Sequence, residues 1–417
     1  MSSLADASGP VDASGAPDAA RRVDLDWIRI VAFGLLILYH VGVGYASWDW
    51  LDAIKSRHAS SVVEPLLMLT APWRMSVLFV VSGAATGLML RRRSAGALLR
   101  DRSARLLPPL LFGMLVVVPP QAYVAVVQAT GYRDGYLAFW WRYLRADPSF
   151  CWAGRCLIVP TYNHLWFVAY LWIYVALATA VLAVTGRDAL ARAGARLEAA
   201  LVAGPGCLVW PWLVLAALRI ALSDRFPPTF AIVGDWSSHA GYGFAFAFGL
   251  LLAGSQRLPA AIEQHRWPAL ALAAAAYAAL LPHSGMHPLA ASPDGTARPL
   301  WQATVALDQW CAVVAALGFA HRWLRQADGP VRRYLTDAVF AYYIVHQTAI
   351  VLVLYAIRDA GLPAGPEAAV VLAATAAACA AAYEIAHRVR WLRPLFGLRR
   401  APRESLDRDG PAPTRRT

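Results

Sequence analysis

The stretch from Leu25 to Tyr45, LDWIRIVAFGLLILYHVGVGY, is long and apolar enough to enter a bilayer, yet it carries Asp26, Arg29 and His40. An α-helix advances about 100° and ~1.5 Å per residue, so the step from Arg29 to His40 closes three turns to within about 20° and climbs ~16 Å. The guanidinium and the imidazole therefore share one face, on a stripe that also passes through Phe33 and Leu36. Ionisable groups at membrane depth are costly and normally face a protein interior, where they mark a substrate or proton path. The plainer reading is a border arginine snorkelling to headgroups and a histidine satisfied by a neighbouring helix.

The rest of the chain has the same character. Of its 417 residues 59% are hydrophobic and only 15% charged, which is outside the usual range for soluble domains and points to an integral membrane protein. The net charge of +12 does not indicate nucleic acid. The arginines cluster at the ends of apolar segments, and no basic stripe alternates with aromatics in a soluble module. Residues 1–20 are small and polar, without the charged and apolar regions of a cleavable signal, so the first helix is expected to be the membrane anchor.

Hydropathy predicts an all-α bundle of about ten transmembrane helices, near 27–48, 73–90, 106–128, 165–185, 207–223, 238–255, 267–282, 301–320, 335–357 and 366–386. Short cytoplasmic segments retain positive charge. With the N-terminus inside, the inside segments hold 26 Lys and Arg and the outside segments nine. Both termini are thus expected in the cytoplasm. The expected organisation is a disordered N-terminus (1–22), one membrane domain (23–395) and a disordered basic tail (396–417).

Between the third and fourth spans lies a long outside segment, Gly131 to His164, whose LAFWWRYLR core reads as an interfacial helix or a lid. Cys151 and Cys156 both fall in it, where an oxidising compartment would let them pair. Cys207, Cys311 and Cys379 fall in or at spans, as small packing residues do. Residues 188–201 predict a short amphipathic helix on the inside. No CxxC or HExxH spacing supports a metal site.

Several constellations could carry chemistry. The second span opens with Trp73 and Arg74 and closes with a patch of Ser82, Gly83, Thr86 and Gly87, which suits close helix packing as well as a ligand. Arg102 and Arg105, three apart at the inside mouth of the third span, neighbour each other on a helix. Their guanidinium forks match a phosphate or pyrophosphate, although positive-inside anchoring also explains basic charge there. His164 and Trp166, at the outside mouth of the fourth span, read as an aromatic belt with polar trim or as a sugar contact. The ninth span places Tyr343 one turn from His346, another imidazole in an apolar run. A histidine suits deprotonation of a hydroxyl because its pKa lies near neutrality.

These residues give the chain its resemblance to the acyltransferase-3 family of bacterial membrane O-acyltransferases, nearest to the glucans biosynthesis protein C type. It rests on Arg29 with ten residues before His40; on WRMSVLFVVSGAATGLML; on Arg102 and Arg105 followed by LLPPLLFGMLVVVPPQ; on HLWFVAYLWIY from His164; and on AYYIVHQTAIV around His346. The match runs from about Val23 to about Leu395. The resemblance implies a multi-pass protein of the bacterial inner membrane that uses acyl-CoA as co-substrate, with no permanently bound cofactor, and an extracytoplasmic carbohydrate such as a periplasmic glucan as acceptor. The transferred group would be acetyl or succinyl. It makes His40 the expected catalytic base or transient acyl carrier, with Arg29 and the Arg102/Arg105 pair near the donor. Asp26 would hold Arg29. From their depth and side, His164 and His346 are assigned to the acceptor, with Trp166 and Tyr343 beside them and Arg74 and Ser82 as further substrate contacts.

Two other readings compete. A transporter of a polar or lipid-linked substrate would use the same buried charges as a path, but no paired broken helices in two related halves are visible. A scaffold explains the bundle and leaves the intramembrane arginine and histidine unmotivated.

Overall fold

The structure, a computed structural model, describes residues 22–48, 54–152, 154–283 and 295–398. The expected disorder of the N-terminus and most of that of the basic tail lie outside them. The helices are α1 (Val23–Val43), α2 (Glu64–Met68), α3 (Arg74–Leu90), α4 (Ala95–Phe112), α5 (Pro119–Thr130), α6 (Gly135–Leu144), α7 (Trp166–Thr185), α8 (Arg187–Val202), α9 (Gly206–Leu222), α10 (Trp236–Gly254), α11 (Leu258–Gln264), α12 (Arg266–Leu280), α13 (Ala297–Leu324), α14 (Pro330–Ile357) and α15 (Ala364–Arg388). Among the described residues the strands are one short hairpin, β1 (Cys151–Trp152) paired antiparallel with β2 (Arg155–Cys156).

Nine of the ten predicted spans each overlap one of these helices, and the third, 106–128, runs from the end of α4 into α5, because a long apolar run can satisfy its backbone in a bilayer only by coiling. The chain is a multi-pass helical membrane protein. Six helical stretches are long and apolar enough to cross, and up to eight if each of two bent pairs is counted as one span. The bends, 107° between α8 and α9 and 111° between α10 and α11, fall at short breaks. The first contains Gly204, in the left-handed region, and Pro205, which has no N–H. With 17 residues α3 reaches only ~26 Å, short of the ~30 Å hydrocarbon core.

The chain divides into two compact units. The first holds the described residues up to Tyr39, then Ser61–Arg92 and Thr185–Thr336. In it α3 packs closely on α10. A Cβ on Gly83 would meet the Phe246 carbonyl oxygen at 2.0 Å, and one on Gly249 would meet that of Val80 at 2.0 Å. The small-residue patch therefore brings two backbones together, as small residues do in membrane helices.

The second unit holds His40–Ser60, Arg93–Val184 and the chain from Asp337 on. Its central irregularity is written in the sequence. Pro119 and Pro120 have no N–H to give the carbonyls of Leu115 and Val116. Between α4 and α5 the chain takes a π-helical turn over Gly113–Val117, closed by the Val118 N–H on the Gly113 carbonyl at 2.8 Å. Three carbonyls of this stretch accept from side chains. Trp140 Nε1 donates to Leu115 at 2.8 Å, the Tyr143 hydroxyl to Met114 at 2.9 Å, and the Thr348 hydroxyl to Val117 at 2.7 Å. Gly131, in the left-handed conformation, caps α5.

The expected interfacial or lid segment is thus α6 followed by the hairpin. Phe139 and Tyr143 are fully buried in a cluster with Phe150, Leu157 and Val159, while Leu137 and Trp141 are exposed. Cys151 and Cys156 form a disulfide across β1 and β2. Cys207, Cys311 and Cys379 are reduced and buried, in keeping with packing roles.

Candidate active site

In the second unit, the last turn of α1, the entry to α7 and the middle of α14 bring three imidazoles together. His40 Nδ1 lies 3.1 Å from His346 Nε2, and the ring centroids are 5.1 Å apart. His346 is fully buried, and its Nδ1 lies 2.6 Å from the Tyr343 carbonyl one turn back on α14. A carbonyl only accepts, so Nδ1 of His346 carries the proton, and with neutral rings its Nε2 holds the lone pair. His40 Nδ1–H then donates to it. The proton-accepting atom of His40 is consequently Nε2.

His164, in a single 3₁₀ turn ahead of α7, packs edge-on to His346 with centroids 5.2 Å apart. Its Nε2 lies 3.0 Å from the Ile344 carbonyl and so carries a proton. Its Nδ1 accepts from the amide of Gln121 at 3.2 Å, and the same amide donates to the Thr348 hydroxyl at 2.6 Å. The Thr348 hydroxyl in turn donates to the Val117 carbonyl of the π-turn. The Tyr343 hydroxyl donates to the His164 carbonyl at 2.6 Å. Every ring is thereby held in orientation by groups on neighbouring helices, the arrangement that keeps a catalytic base in one tautomer.

His40 is partly exposed, in contrast to the closed positions of His164 and His346. Phe33 and Leu36 on the same stripe are buried, so that face of α1 is turned inward along its length. The acceptor contact assigned from sequence to His164 and His346 meets two buried rings whose nitrogens are engaged by protein groups. Trp166 is half-buried and stacks edge-on with Tyr170. Arg102 and Arg105 are half-buried on α4, on either side of Ser103, whose hydroxyl accepts from Trp172 Nε1 at 2.9 Å.

The other sequence-chosen residues lie in the first unit. Arg29 Nη2 donates to the Thr336 carbonyl at 2.8 Å and stands 3.9 Å from Asp26. The nearer partner of Asp26 is Arg332, at 2.5 Å, which also binds Asp328 at 2.8 Å. Arg332 is almost completely buried, although by sequence it reads as one more cytoplasmic positive charge. Arg74 is buried with its guanidinium 3.9 Å over the Tyr39 ring and a 2.9 Å bond to Thr70. Ser82 is half-buried, its carbonyl accepting from Thr86 at 2.8 Å.

Sequence reasoning missed Gln121 and Thr348. Their one signal is polarity inside apolar helices next to the paired prolines. Among the described residues no group of three or more His, Cys, Asp or Glu side chains could hold a metal ion. No curated protein and no solved structure matches the chain. The family model described as an acyltransferase domain matches residues 22–386, and the chain therefore belongs to the acyltransferase-3 family, as a multi-pass membrane acyltransferase.

Proposed function

We propose that this protein transfers an acyl group, acetyl or succinyl, from acyl-CoA on the cytoplasmic side to a hydroxyl of an extracytoplasmic glycan or glucan. The setting is the bacterial inner membrane, with ten crossings and both termini in the cytoplasm. The observation that carries the proposal is the ordered pair of imidazoles, with His346 fixing His40 so that Nε2 is the proton acceptor.

In this reading His40 Nε2 takes the proton of the acceptor hydroxyl as its oxygen attacks the thioester carbonyl. The tetrahedral adduct collapses with loss of the CoA thiolate, which recovers the proton from the imidazolium. The products are an ester and free CoA thiol. His346 stabilises the imidazolium through the hydrogen bond from His40 Nδ1 and is a positioning residue. His164 packs edge-on against His346 and is itself fixed by Gln121, which also bonds Thr348. Arg102 and Arg105 offer guanidinium forks to the donor's phosphates, and Arg29 remains a donor-side residue. Trp166 keeps the role of an aromatic acceptor contact.

The test is replacement of His40 by Ala in a strain whose own copy is deleted, with mass spectrometry of the surface glycans. Loss of acylation by a variant that still inserts and elutes as the parent does supports the assignment. Normal acylation by that variant overturns it. Comparison of the parent and deletion strains identifies the acyl group and the acceptor together.

A further inference from the structure

The bend of 107° between α8 and α9 sets α8 nearly at right angles to the predicted fifth span. Charged residues recur along α8, RDALARAGARLEAALV, and keep it out of hydrocarbon. Its place is the end of two apolar helices of the first unit. Arg187 Nη1 donates to the carbonyl of Leu90, the last residue of α3, at 2.8 Å. Gly194 faces Leu251 near the end of α10, where an added Cβ would stand 3.6 Å from the leucine Cδ1. Ser255, the residue after α10, donates its hydroxyl to Glu198 at 2.8 Å. Arg91 ties the same two ends together by bonding the Gly254 carbonyl at 3.1 Å. A helix laid across the ends of apolar helices runs along the membrane border.

One face of α8 packs on the protein, through buried Leu201 and half-buried Gly194 and Glu198. Beside it, at about 100° per residue, Leu190, Ala193, Leu197 and Ala200 form a strip about 80° wide, and all four are exposed. Arg196 and Arg192 follow at the far edge of the strip, one turn apart and both exposed. Among the described residues no acid forms an ion pair with either. Asp188 lies on the exposed side, and Glu198 is taken by Ser255. An apolar strip edged with cations is the pattern of a helix lying in the headgroup layer.

We infer that α8 is seated in the cytoplasmic headgroup layer and holds the phosphate of an anionic phospholipid with Arg192 and Arg196. Two guanidinium forks one turn apart match phosphate oxygens, and the strip beside them takes the first carbons of the acyl chains. A soluble phosphate compound would leave the strip in water, which selects a lipid as the occupant. The inference goes beyond the acyl-transfer reading and takes from it only the side of the membrane.

Native mass spectrometry of the full-length protein in detergent, titrated with phosphatidylglycerol, phosphatidylcholine and CoA, tests it without reference to acyl transfer. Phosphatidylglycerol is expected to bind at least about tenfold more tightly than phosphatidylcholine, and Arg192→Gln combined with Arg196→Gln to lose about that factor, the weight of two arginines at an anionic surface. Both side chains are exposed, so the double variant is expected to elute as the parent does. In nanodiscs containing phosphatidylglycerol, a nitroxide on Leu197→Cys is expected to meet oxygen more readily than a water-soluble nickel chelate. One on Ala195→Cys, on the far side of α8, is expected to do the reverse. The free cysteines Cys207, Cys311 and Cys379 are buried, so the label reaches the introduced thiol. Equal binding of the two lipids, a lipid preference unchanged in the double variant, CoA bound more tightly than the lipid at these arginines, or a Leu197 label open to the nickel chelate overturns the inference.

Discussion

His40 Nδ1 and His346 Nε2 are 3.1 Å apart although 306 residues separate them in the chain. Because the other nitrogen of His346 is committed to the Tyr343 carbonyl, the contact has one direction with neutral rings, from His40 to His346. A deep, closed imidazole thus sets the tautomer of a shallower one.

That relationship predicts different outcomes at the two positions. His40→Gln is expected to lower acyl transfer by about 10²–10⁴-fold, the usual weight of a general base. His346→Ala removes the acceptor for His40 Nδ1–H, so its turnover should fall and its pH–rate profile should shift, with the KM for the donor little changed. His346→Gln, whose amide oxygen can accept the same proton, should recover part of the rate. A purely structural role for His346 would leave the pH–rate profile of the surviving protein unmoved.

Arg332 links Asp26 to Asp328 from an almost completely buried position. Arg332→Leu leaves the Asp26 carboxylate without its nearest cation and is expected to cost on the order of 3 kcal/mol, read as a lower unfolding midpoint in detergent. Asp26→Asn combined with Arg332→Gln should cost less than the sum of the two single changes, because the charges leave together. Strict additivity would show that the pair is not coupled.

The close approach of α3 and α10 predicts an asymmetry at neighbouring positions. Gly249→Val would drive a side chain into the Val80 carbonyl and should destabilise the first unit by about 1–3 kcal/mol or more. Gly241→Ala, on the same helix where a Cβ meets nothing within 4 Å, should be tolerated. Thermal unfolding of the two variants separates them.

The segment after α6 carries an acid-sensitive clasp. Arg142 binds Asp147 at 2.7 Å, and together with the Ser149 side chain and N–H it holds the Asp147 carboxyl down at about 2. A depressed carboxyl stabilises the folded segment fully above its ordinary value near 3.8 and loses that contribution as the pH falls toward about 2. Backbone hydrogen exchange around residues 147–150, corrected for intrinsic rates, should therefore quicken from pH 4 downward. In Asp147→Asn it should already be fast at pH 7 and lack that step.

Much of the helix pattern was legible in advance, because an apolar run must satisfy its own backbone in lipid and leaves a signal that needs no tertiary contact. The ten predicted segments rest on that local rule, and the α8 helix rests on its amphipathic spacing. The two bent pairs were less legible. Each break is a few residues long, and a window long enough to detect a span averages over it.

The site divides in the same manner. The inward face of α1 followed from helical spacing alone, and buried Phe33 and Leu36 share it with Arg29 and His40. Asp26 was chosen for its nearness to Arg29 in sequence, whereas its nearest cation comes from α14. Gln121 and Thr348 carry no motif. They matter because paired prolines open a π-turn beside them.

The sequence by itself determined that this chain is a helical membrane protein, where its helices run, and which costly polar residues lie within them. Those properties follow from transfer of side chains and backbone between water and lipid, residue by residue. Only the tertiary structure decided which of those residues meet. It turned one imidazole of three toward an accessible surface, gave it a tautomer, and buried Arg332 between two carboxylates, because hydrogen bonds of fixed direction form between helices whose neighbours no local pattern specifies.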